Sequence, residues 1–188
     1  MSESTLTELA FREVGSRYAS GVVVVTSIAD GFDHAMTATS FTTVSLDPML
    51  VLICVEKNTR FHDVIATDES SHAVGSPPKT WGISILNETA RPTASWFATK
   101  GRPLQGQFDR YPHYRGPATG TILLNDSLAT IEAITTQEVV AGDHVVIIGE
   151  VLSLRMWEDN DPHNEIELGD PLAQPLTYWA RRYHGLTP

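Results

Sequence analysis

The sequence has little of what marks several common classes of protein. It contains one cysteine, Cys54, inside an apolar run, so neither a disulfide framework nor a thiolate metal cage can form within the chain. Lysine and arginine number 13 against 23 acidic residues, and the formal net charge of −10 argues against nucleic acid or an anionic membrane as a partner. No apolar run is long enough to span a bilayer, and residues 1–11 lack the basic and apolar segments of a secretion signal. We therefore expect a cytoplasmic protein.

Sequence motifs for several nucleotide-binding and catalytic sites are also missing. The chain has no G-x-G-x-x-G and no Walker sequence, which excludes a Rossmann dinucleotide site and a P-loop. It has neither G-x-S-x-G nor H-E-x-x-H, the motifs of α/β-hydrolases and zincins. The acidic segment 158–174 lacks the glycine of a calcium loop, because Asn164 stands at that position. We expect this segment to be a surface loop and the chain to have no metal site.

Hydrophobic patterning predicts a mainly β chain with a few helices. Apolar residues recur every four positions from Leu6 to Tyr18, which predicts an N-terminal helix within residues 1–20 that lies on the core. Asn87 and either Asn58 or Thr59 are placed to cap two further helices. The 188 residues fit one domain, 1–188, for which we expect a β-barrel with peripheral helices. The predicted strands are 21–29, 49–55, 81–86, a hairpin of 128–140 with 144–157, and a short final strand at 175–183; residues 100–120 are predicted to form a long functional loop.

One stretch, residues 34–43, does not fit an ordinary half-buried strand. It is rich in hydroxyl side chains, and the segment EKNTR at 56–60 follows the next strand. Together the two segments could form an anion or phosphate site, whereas the alternative is an edge strand with a polar face toward water. Strand alternation places Thr37 and Thr39 on one face and Ser40 on the other. All three can then contact one ligand only through a bend or through backbone amides.

Four segments, in this order along the chain, resemble the flavin reductase family. They are HAMTATSFTTVSLDPMLVLICVEKNTRFHDVI (34–65), GISILNETARPTASWFATKG (82–101), AGDHVVIIGEV (141–151) and PLTYWARRYHGL (175–186). The resemblance implies an FMN-binding split β-barrel. It also implies an NAD(P)H:flavin oxidoreductase that passes hydride from NADH or NADPH to FMN or FAD and supplies reduced flavin to a separate monooxygenase. It further implies a homodimer with flavin sites near the subunit interface.

Carried over position by position, the resemblance implies which residues hold the flavin. The hydroxyl-rich stretch would line the ring and the ribityl chain, the segment after Glu56 would hold the phosphate, and Glu56 would order that loop. Ala35 and Ser84 depart from the family pattern, in which glycine and asparagine are common. His144 is implied as the catalytic residue at the reacting end of the flavin, and the alternative is that it caps its hairpin turn with Asp143. The implied cofactor-binding residues are Met36, Thr37, Ala38, Thr39, Ser40, Phe41, Ser45, Lys57, Asn58, Thr59, Arg60, Ser84 and Tyr183.

A flavin ring needs aromatic or small neighbours rather than a nucleophile, because the cofactors carry the hydride chemistry. Phe108, Tyr111, Tyr114 and Tyr183 are candidates for such contacts, with packing in the core or at an interface as the alternative for each. Two other classes of function stay open: a non-catalytic flavin or haem binder or an oxidase on the same barrel, and an interaction module with an empty barrel. NADH oxidation that depends on added free flavin would separate a reductase from a passive binder.

Overall fold

The structure is a computed structural model that describes residues 7–66, 79–156 and 174–186. These ranges contain three α-helices and twelve strands, so the predicted mainly β chain is confirmed. The helices are α1 Glu8–Gly15, α2 Arg60–Ile65 and α3 Arg91–Ala98. The strands are β1 Ser20–Gly21, β2 Val23–Ala29, β3 Phe32–Ala38, β4 Thr42–Leu46, β5 Met49–Glu56, β6 Thr80–Leu86, β7 His113–Arg115, β8 Ile122–Leu124, β9 Ser127–Ala141, β10 His144–Met156, β11 Thr177–Trp179 and β12 Arg182–His184.

Seven strands form the main antiparallel sheet, in the order β3-β2-β6-β9-β10-β5-β4. The strands predicted at 21–29, 49–55 and 81–86 are confirmed as β2, β5 and β6 within one or two residues at each end. The predicted hairpin is confirmed as β9 and β10, which pair from Ala141 and His144 outward. Two small sheets, β1-β11-β12 and β7-β8, complete the strands of the described residues.

The main sheet curls until strands from both ends of its order share one core. Ala38 at the end of β3 packs in the same buried cluster as Ile53 on β5 and Ile147 on β10. Ser40 follows β3, and its Oγ accepts a hydrogen bond from Cys54 N at 2.9 Å and lies 3.2 Å from Cys54 O, to which it donates. A side chain thus joins β3 to β5 where no ladder of backbone bonds runs. This arrangement fits the split barrel that the family resemblance implied.

The helix predicted within residues 1–20 is present, but its predicted packing on the core is wrong for the single chain. Thr7 caps it by accepting a hydrogen bond from Ala10 N, yet no residue of α1 is buried. Its apolar side chains are exposed by 70% or more, as Leu9 and Phe11 show. The helix is held near its end instead, where Ala180 N donates to Ser16 O at 2.9 Å.

The short final strand predicted at 175–183 is also wrong, because these residues form a hairpin. Ala180 and Arg181 adopt positive φ angles of 49° and 63°, which turns the chain between β11 and β12. β11 then pairs with β1 near the start of the chain. The predicted acidic loop 158–174 lies outside the described residues except for Gln174.

Candidate functional site

A cavity of about 640 Å³ opens at the split in the barrel. Its walls are the end of β3 with the residues after it, the end of β5, the start of α2, the turn after α3 and the start of β10. This volume is within the range of sites that hold small molecules. The cavity therefore joins the hydroxyl-rich stretch to the EKNTR segment, as the sequence pattern suggested.

Nine of the predicted site residues line this cavity. They come from three separate parts of the chain, which only the folded barrel brings together. Their contacts with a flavin stay predictions. These nine residues are Met36, Thr37, Ala38, Thr39, Ser40, Asn58, Thr59, Arg60 and His144.

The hydroxyls of the first wall have different partners. Thr37 donates to Ala94 O in α3 at 2.7 Å, and Ser40 is bonded to Cys54 as described above. Thr39 is exposed, and its hydroxyl has no hydrogen-bond partner in the described part of the chain. The backbone of residues 39–41 lies between β3 and β4 and makes no hydrogen bond to another described backbone group. Thr39 and Ser40 of this bend line the cavity, so the bend offers a ligand one hydroxyl and two unpaired amides.

The start of α2 forms the second wall, and its predicted cap is confirmed as Thr59. The Thr59 hydroxyl accepts from His62 N at 3.2 Å and donates to Glu56 O at 2.8 Å. Its proton is therefore already used within the chain. Arg60 Nη1 donates to the carbonyl oxygen of Arg102 at 3.0 Å, which ties α2 to the turn after α3.

The turn after α3 is the part of the cavity that the sequence analysis did not assign. Arg102 is buried, and its guanidinium donates to the side chain of Gln107 and to the carbonyl oxygens of Ala35, Phe97 and Thr99. Burial, and then the nearby Arg60, lower the pKa of Arg102 to about 10. The only sequence signal was two cations flanking a glycine after a helix, in the letters TKGR.

Positive charge dominates the cavity lining. Three cations, Arg60, Lys100 and Arg102, face one carboxylate, Glu56, whose Oε2 lies 3.1 Å from Lys100 Nζ. Within the described ranges, neither arginine has a carboxylate oxygen within 4.0 Å. A chain with a net charge of −10 thus keeps an excess of cations at its cavity, which is the electrostatic setting for an anionic ligand.

His144 lines the cavity at the start of β10, opposite Glu56 in the ladder with β5. Its Nδ1 lies 2.8 Å from Asp143 Oδ1, and this hydrogen bond holds the pKa of Asp143 below its usual value. When Nδ1–H donates this hydrogen bond to the carboxylate, Nε2 is the ring nitrogen that is free to contact a ligand. Both features predicted for His144 are thus present: it bonds to Asp143 in the hairpin turn, and it lines the cavity.

Five predicted residues do not line the cavity, and three of them have a clear polar role elsewhere. Ser84 is fully buried, and its hydroxyl accepts a hydrogen bond from Leu124 N at 2.9 Å. Ser45 Oγ accepts from Asp47 N in the β4–β5 turn at 3.3 Å. Lys57 Nζ donates to a carbonyl of the β9–β10 turn, Gly142 O, at 2.8 Å.

The other two predicted residues pack against apolar clusters. Phe41 packs on the barrel core, and Tyr183 packs on a second core with Tyr178, at 5.4 Å between ring centroids. Phe108 and Tyr111 belong to this second core, beside Phe97. For Phe108, Tyr111 and Tyr183 these are contacts of the packing alternative, and the predicted flavin contacts of Tyr183 and Phe41 stay predictions.

The described residues contain neither a metal-ligand cluster nor a membrane-spanning helix. In the ranges 7–66, 79–156 and 174–186, no group of three or more His, Cys, Asp or Glu side chains could hold a metal ion. No helix in those ranges is long and apolar enough to cross a membrane.

Comparisons with known proteins show the family to which the chain belongs. The family described as "Flavin reductase like domain" matches residues 15–187 of this chain. The NADH:riboflavin 5'-phosphate oxidoreductase of Streptomyces pristinaespiralis is 33% identical over 182 residues, which cover 95% of this chain and 88% of that relative.

Solved structures give the same result. The Streptomyces globisporus C-1027 NADH:FAD oxidoreductase SgcE6, in complex with NAD and FAD fragments, aligns with a TM-score of 0.77 at 28% identity, covering 96% of this chain and 93% of that one. BorF, the flavin reductase component of a bacterial two-component tryptophan halogenase, aligns with a TM-score of 0.75 at 34% identity, covering 96% of this chain and 98% of that one.

Proposed function

Because the chain belongs to the flavin reductase-like domain family, we propose that it is an NAD(P)H-dependent flavin reductase. It transfers hydride from NADH or NADPH to FMN or FAD and supplies the reduced flavin to a separate flavin-dependent monooxygenase. Family membership over residues 15–187 is the observation that carries this conclusion. A relative of similar structure serves a two-component tryptophan halogenase, which supports the separate partner.

The residues of the cavity fit a flavin nucleotide. Such a ligand combines a flat ring, which needs hydrogen-bond donors along its edge, with at least one phosphate. The unpaired amides of Thr39 and Ser40 are donors of the first kind, and Arg60 and Arg102 supply positive charge without a carboxylate neighbour in the described ranges. Charge-assisted hydrogen bonds to phosphate are among the strongest that a protein makes. An acidic ligand thus meets complementary charge at this position.

A bound flavin supplies the hydride acceptor, and the chain's own residues hold and orient the reactants. Thr39 and the neighbouring amides fix the position of the ring. Arg102 keeps the turn after α3 against β3, so that the opposite wall cannot move away. His144, with Nδ1 bonded to Asp143, holds or accepts a proton at Nε2 beside the reactants. Its role as the catalytic residue is part of this proposal.

The proposal extends to the assembly of the protein. The chain forms one domain over residues 1–188 and pairs as a homodimer. Large apolar side chains that are about half exposed, such as Leu152 and Leu154 on β10, support a covered face. The cytoplasmic location expected from the sequence stays a prediction.

The test is oxidation of NADH and NADPH by the purified chain, followed at the nicotinamide absorbance with and without added FMN or FAD. A flavin reductase oxidises at least one nicotinamide at a rate that rises with added free flavin. A chain that binds flavin without this turnover is a passive flavin binder, and a chain that binds neither flavin is an interaction module. The four combinations of donor and acceptor also give the preference for each.

A further inference from the structure

An ion pair spans the mouth of the cavity. Glu56 ends β5 on one side, Lys100 belongs to the turn after α3 on the other, and their Oε2 and Nζ atoms are 3.1 Å apart. Both side chains line the cavity. The pair therefore lies where a ligand would pass or where its outer end would rest.

Lys100 differs from the other two cations of the lining in its freedom to change partner. Arg102 is fixed by four acceptors within the fold, and Arg60 is bonded to the backbone of Arg102. In the described ranges, Glu56 is the one group that Lys100 Nζ contacts, and the lysine side chain is 82% exposed. Lys100 can thus leave its partner without breaking any contact that holds the barrel together.

The energetics favour such a change of partner. An exposed ion pair contributes little to stability, because water screens it and both side chains lose freedom in forming it. A phosphate bears more charge than a carboxylate and offers more acceptor oxygens, and it would be held in a cavity with two further cations. The ammonium therefore gains by exchanging the carboxylate for a phosphate.

We propose that Lys100 is a phosphate-recognition residue, and that Glu56 holds it over the cavity mouth until a phosphate-bearing nucleotide takes the place of the carboxylate. This inference rests on the proposed flavin reductase function. The phosphate belongs to one of two sources with the same chemistry, the flavin nucleotide or the nicotinamide nucleotide. Lys100 touches the ligand, whereas Glu56 acts through Lys100 as a positioning residue.

The experiment compares five forms of the full chain: the wild type, Lys100→Gln, Glu56→Gln, the double variant, and the control Lys79→Gln. Lys79 precedes β6, does not line the cavity, and undergoes the same change of charge. Binding of FMN and of riboflavin, which lacks the phosphate, is measured by flavin fluorescence. The KM for NADH is measured with FMN as acceptor.

If the phosphate is that of the flavin, Lys100→Gln raises the Kd for FMN roughly tenfold, the effect of one lost charge-assisted hydrogen bond, and leaves the Kd for riboflavin unchanged. Glu56→Gln lowers the Kd for FMN about two- to threefold, since the lysine no longer has a competing partner. This gain disappears in the double variant. If the phosphate is that of the nicotinamide nucleotide, the same pattern appears in the KM for NADH.

The inference is overturned if Lys100→Gln behaves like Lys79→Gln in both measurements, or if it weakens riboflavin as much as FMN. A Glu56→Gln variant without any gain in either measurement overturns the role of Glu56. A wild-type chain that neither binds flavin nor oxidises NADH with flavin present refutes the proposed function itself. That result is distinct, because it does not depend on any variant.

Discussion

At the scale of single residues, the hydroxyl of Ser40 closes the split in the barrel. It satisfies both the N–H and the carbonyl of Cys54, at 2.9 and 3.2 Å, on the side of β5 that faces the bend after β3. On the other side of β5, Cys54 lies opposite Val146 of β10, whereas the pairing of β4 with β5 ends at Leu52 and does not reach Cys54. The backbone amides of residues 39–41 stay unpaired because no described strand pairs with the bend. The Ser40 side chain therefore makes the bonds to β5 that a neighbouring strand's backbone makes elsewhere in the sheet.

Replacing Ser40 by alanine removes both bonds and leaves a partly buried N–H without a partner. We expect the free energy of unfolding to fall by about 1–3 kcal/mol, the usual cost of such a loss. Urea unfolding followed by tryptophan fluorescence measures it. The matched control is Thr39→Ala, which removes a hydroxyl with no partner and should change stability by less than about 0.5 kcal/mol. Equal losses in the two variants would contradict the role given to Ser40.

His34 on β3 is a second residue whose surroundings have a measurable effect. It is 7% exposed, and its Nδ1 is buried without a hydrogen-bond partner. Burial, and then the charge of Arg60, lower the pKa of His34 from its ordinary value of 6.5. The neutral imidazole is thus the form that the folded chain accommodates.

The unfolded chain therefore binds a proton on this histidine more readily than the folded chain does. The contribution of His34 to stability is complete above pH 6.5 and is lost as the pH falls below that value toward the folded-state pKa. We expect the difference in unfolding free energy between about pH 7.5 and pH 5.5 to be smaller in His34→Gln than in the wild type. The variant Thr39→Ala, which alters no titratable group, is the control and should keep the wild-type difference. An unchanged difference in His34→Gln would show that the folded-state pKa is not lowered.

At the scale of elements, one buried carboxylate anchors residues 116–119 within the segment 100–120. Glu132 on β9 is 1% exposed, and its oxygens accept hydrogen bonds from Ala118 N, from Thr119 N and from the Thr119 hydroxyl. Gly116 packs against the same carboxylate, since a Cβ there would lie 2.2 Å from Glu132 Oε1. The predicted long loop is therefore an ordered part of the fold over these residues.

Glu132→Gln tests this anchoring with almost no change in volume. The amide replaces an acceptor oxygen by a donor that faces N–H groups, so at least one backbone N–H loses its partner. We expect a loss of about 1–3 kcal/mol in unfolding free energy. Proteolysis should cut first within residues 116–121. Glu150→Gln, on the exposed face of β10, is the control and should change stability by less than about 0.5 kcal/mol. A stable and uncut Glu132→Gln variant would contradict the anchoring.

Elements that are specified by neighbouring residues could be predicted from the sequence, whereas elements that depend on distant contacts could not. β2, β5 and β6 are runs of mostly β-branched or apolar residues between turns, and Thr59 caps α2 through a local hydrogen bond. Asn87, predicted to cap a longer helix, caps the 3-10 helix Glu88–Ala90 that leads into α3. The hairpin at 180–181 was missed because its positive φ angles fall on alanine and arginine, which rarely adopt them.

The residues of the candidate site also fall into two groups, those that the sequence could identify and those that only distant contacts bring to the cavity. The residue pattern, and then the resemblance to a known family, brought the hydroxyl-rich stretch and the EKNTR segment together, and residues of both line the cavity. Neither could show which hydroxyls form hydrogen bonds within the fold, because Thr37 and Ser40 donate to residues that are distant in the sequence. Lys100 and Arg102 carried no pattern of their own, and only the packing of α3 on β3 brings them to the cavity.

At the scale of the whole molecule, the charge is divided unevenly. The chain carries −10 overall, whereas three cations and one carboxylate line the cavity. The acidic surface opposes nonspecific binding of anions, and the local excess of cations attracts them at one position. An anionic nucleotide is therefore held by local contacts rather than by the net charge. High salt should weaken those contacts only to the extent that they are exposed.

The exposed apolar residues of β10 give the last prediction, which concerns assembly. Pairing of β10 with β5 ends at Glu150, and the strand continues with Leu152 and Leu154 on one face, exposed by 46% and 55%. An apolar strand that extends past its neighbour is a natural place for a second copy to pair. We expect the wild type to sediment as a dimer and Leu154→Lys to sediment as a monomer at micromolar concentration. Ile28→Lys, on the β2–β3 hairpin, introduces the same charge at a residue 43% exposed and should stay dimeric. A monomeric wild type would refute the proposed homodimer, and a dimeric Leu154→Lys would place the interface on another face.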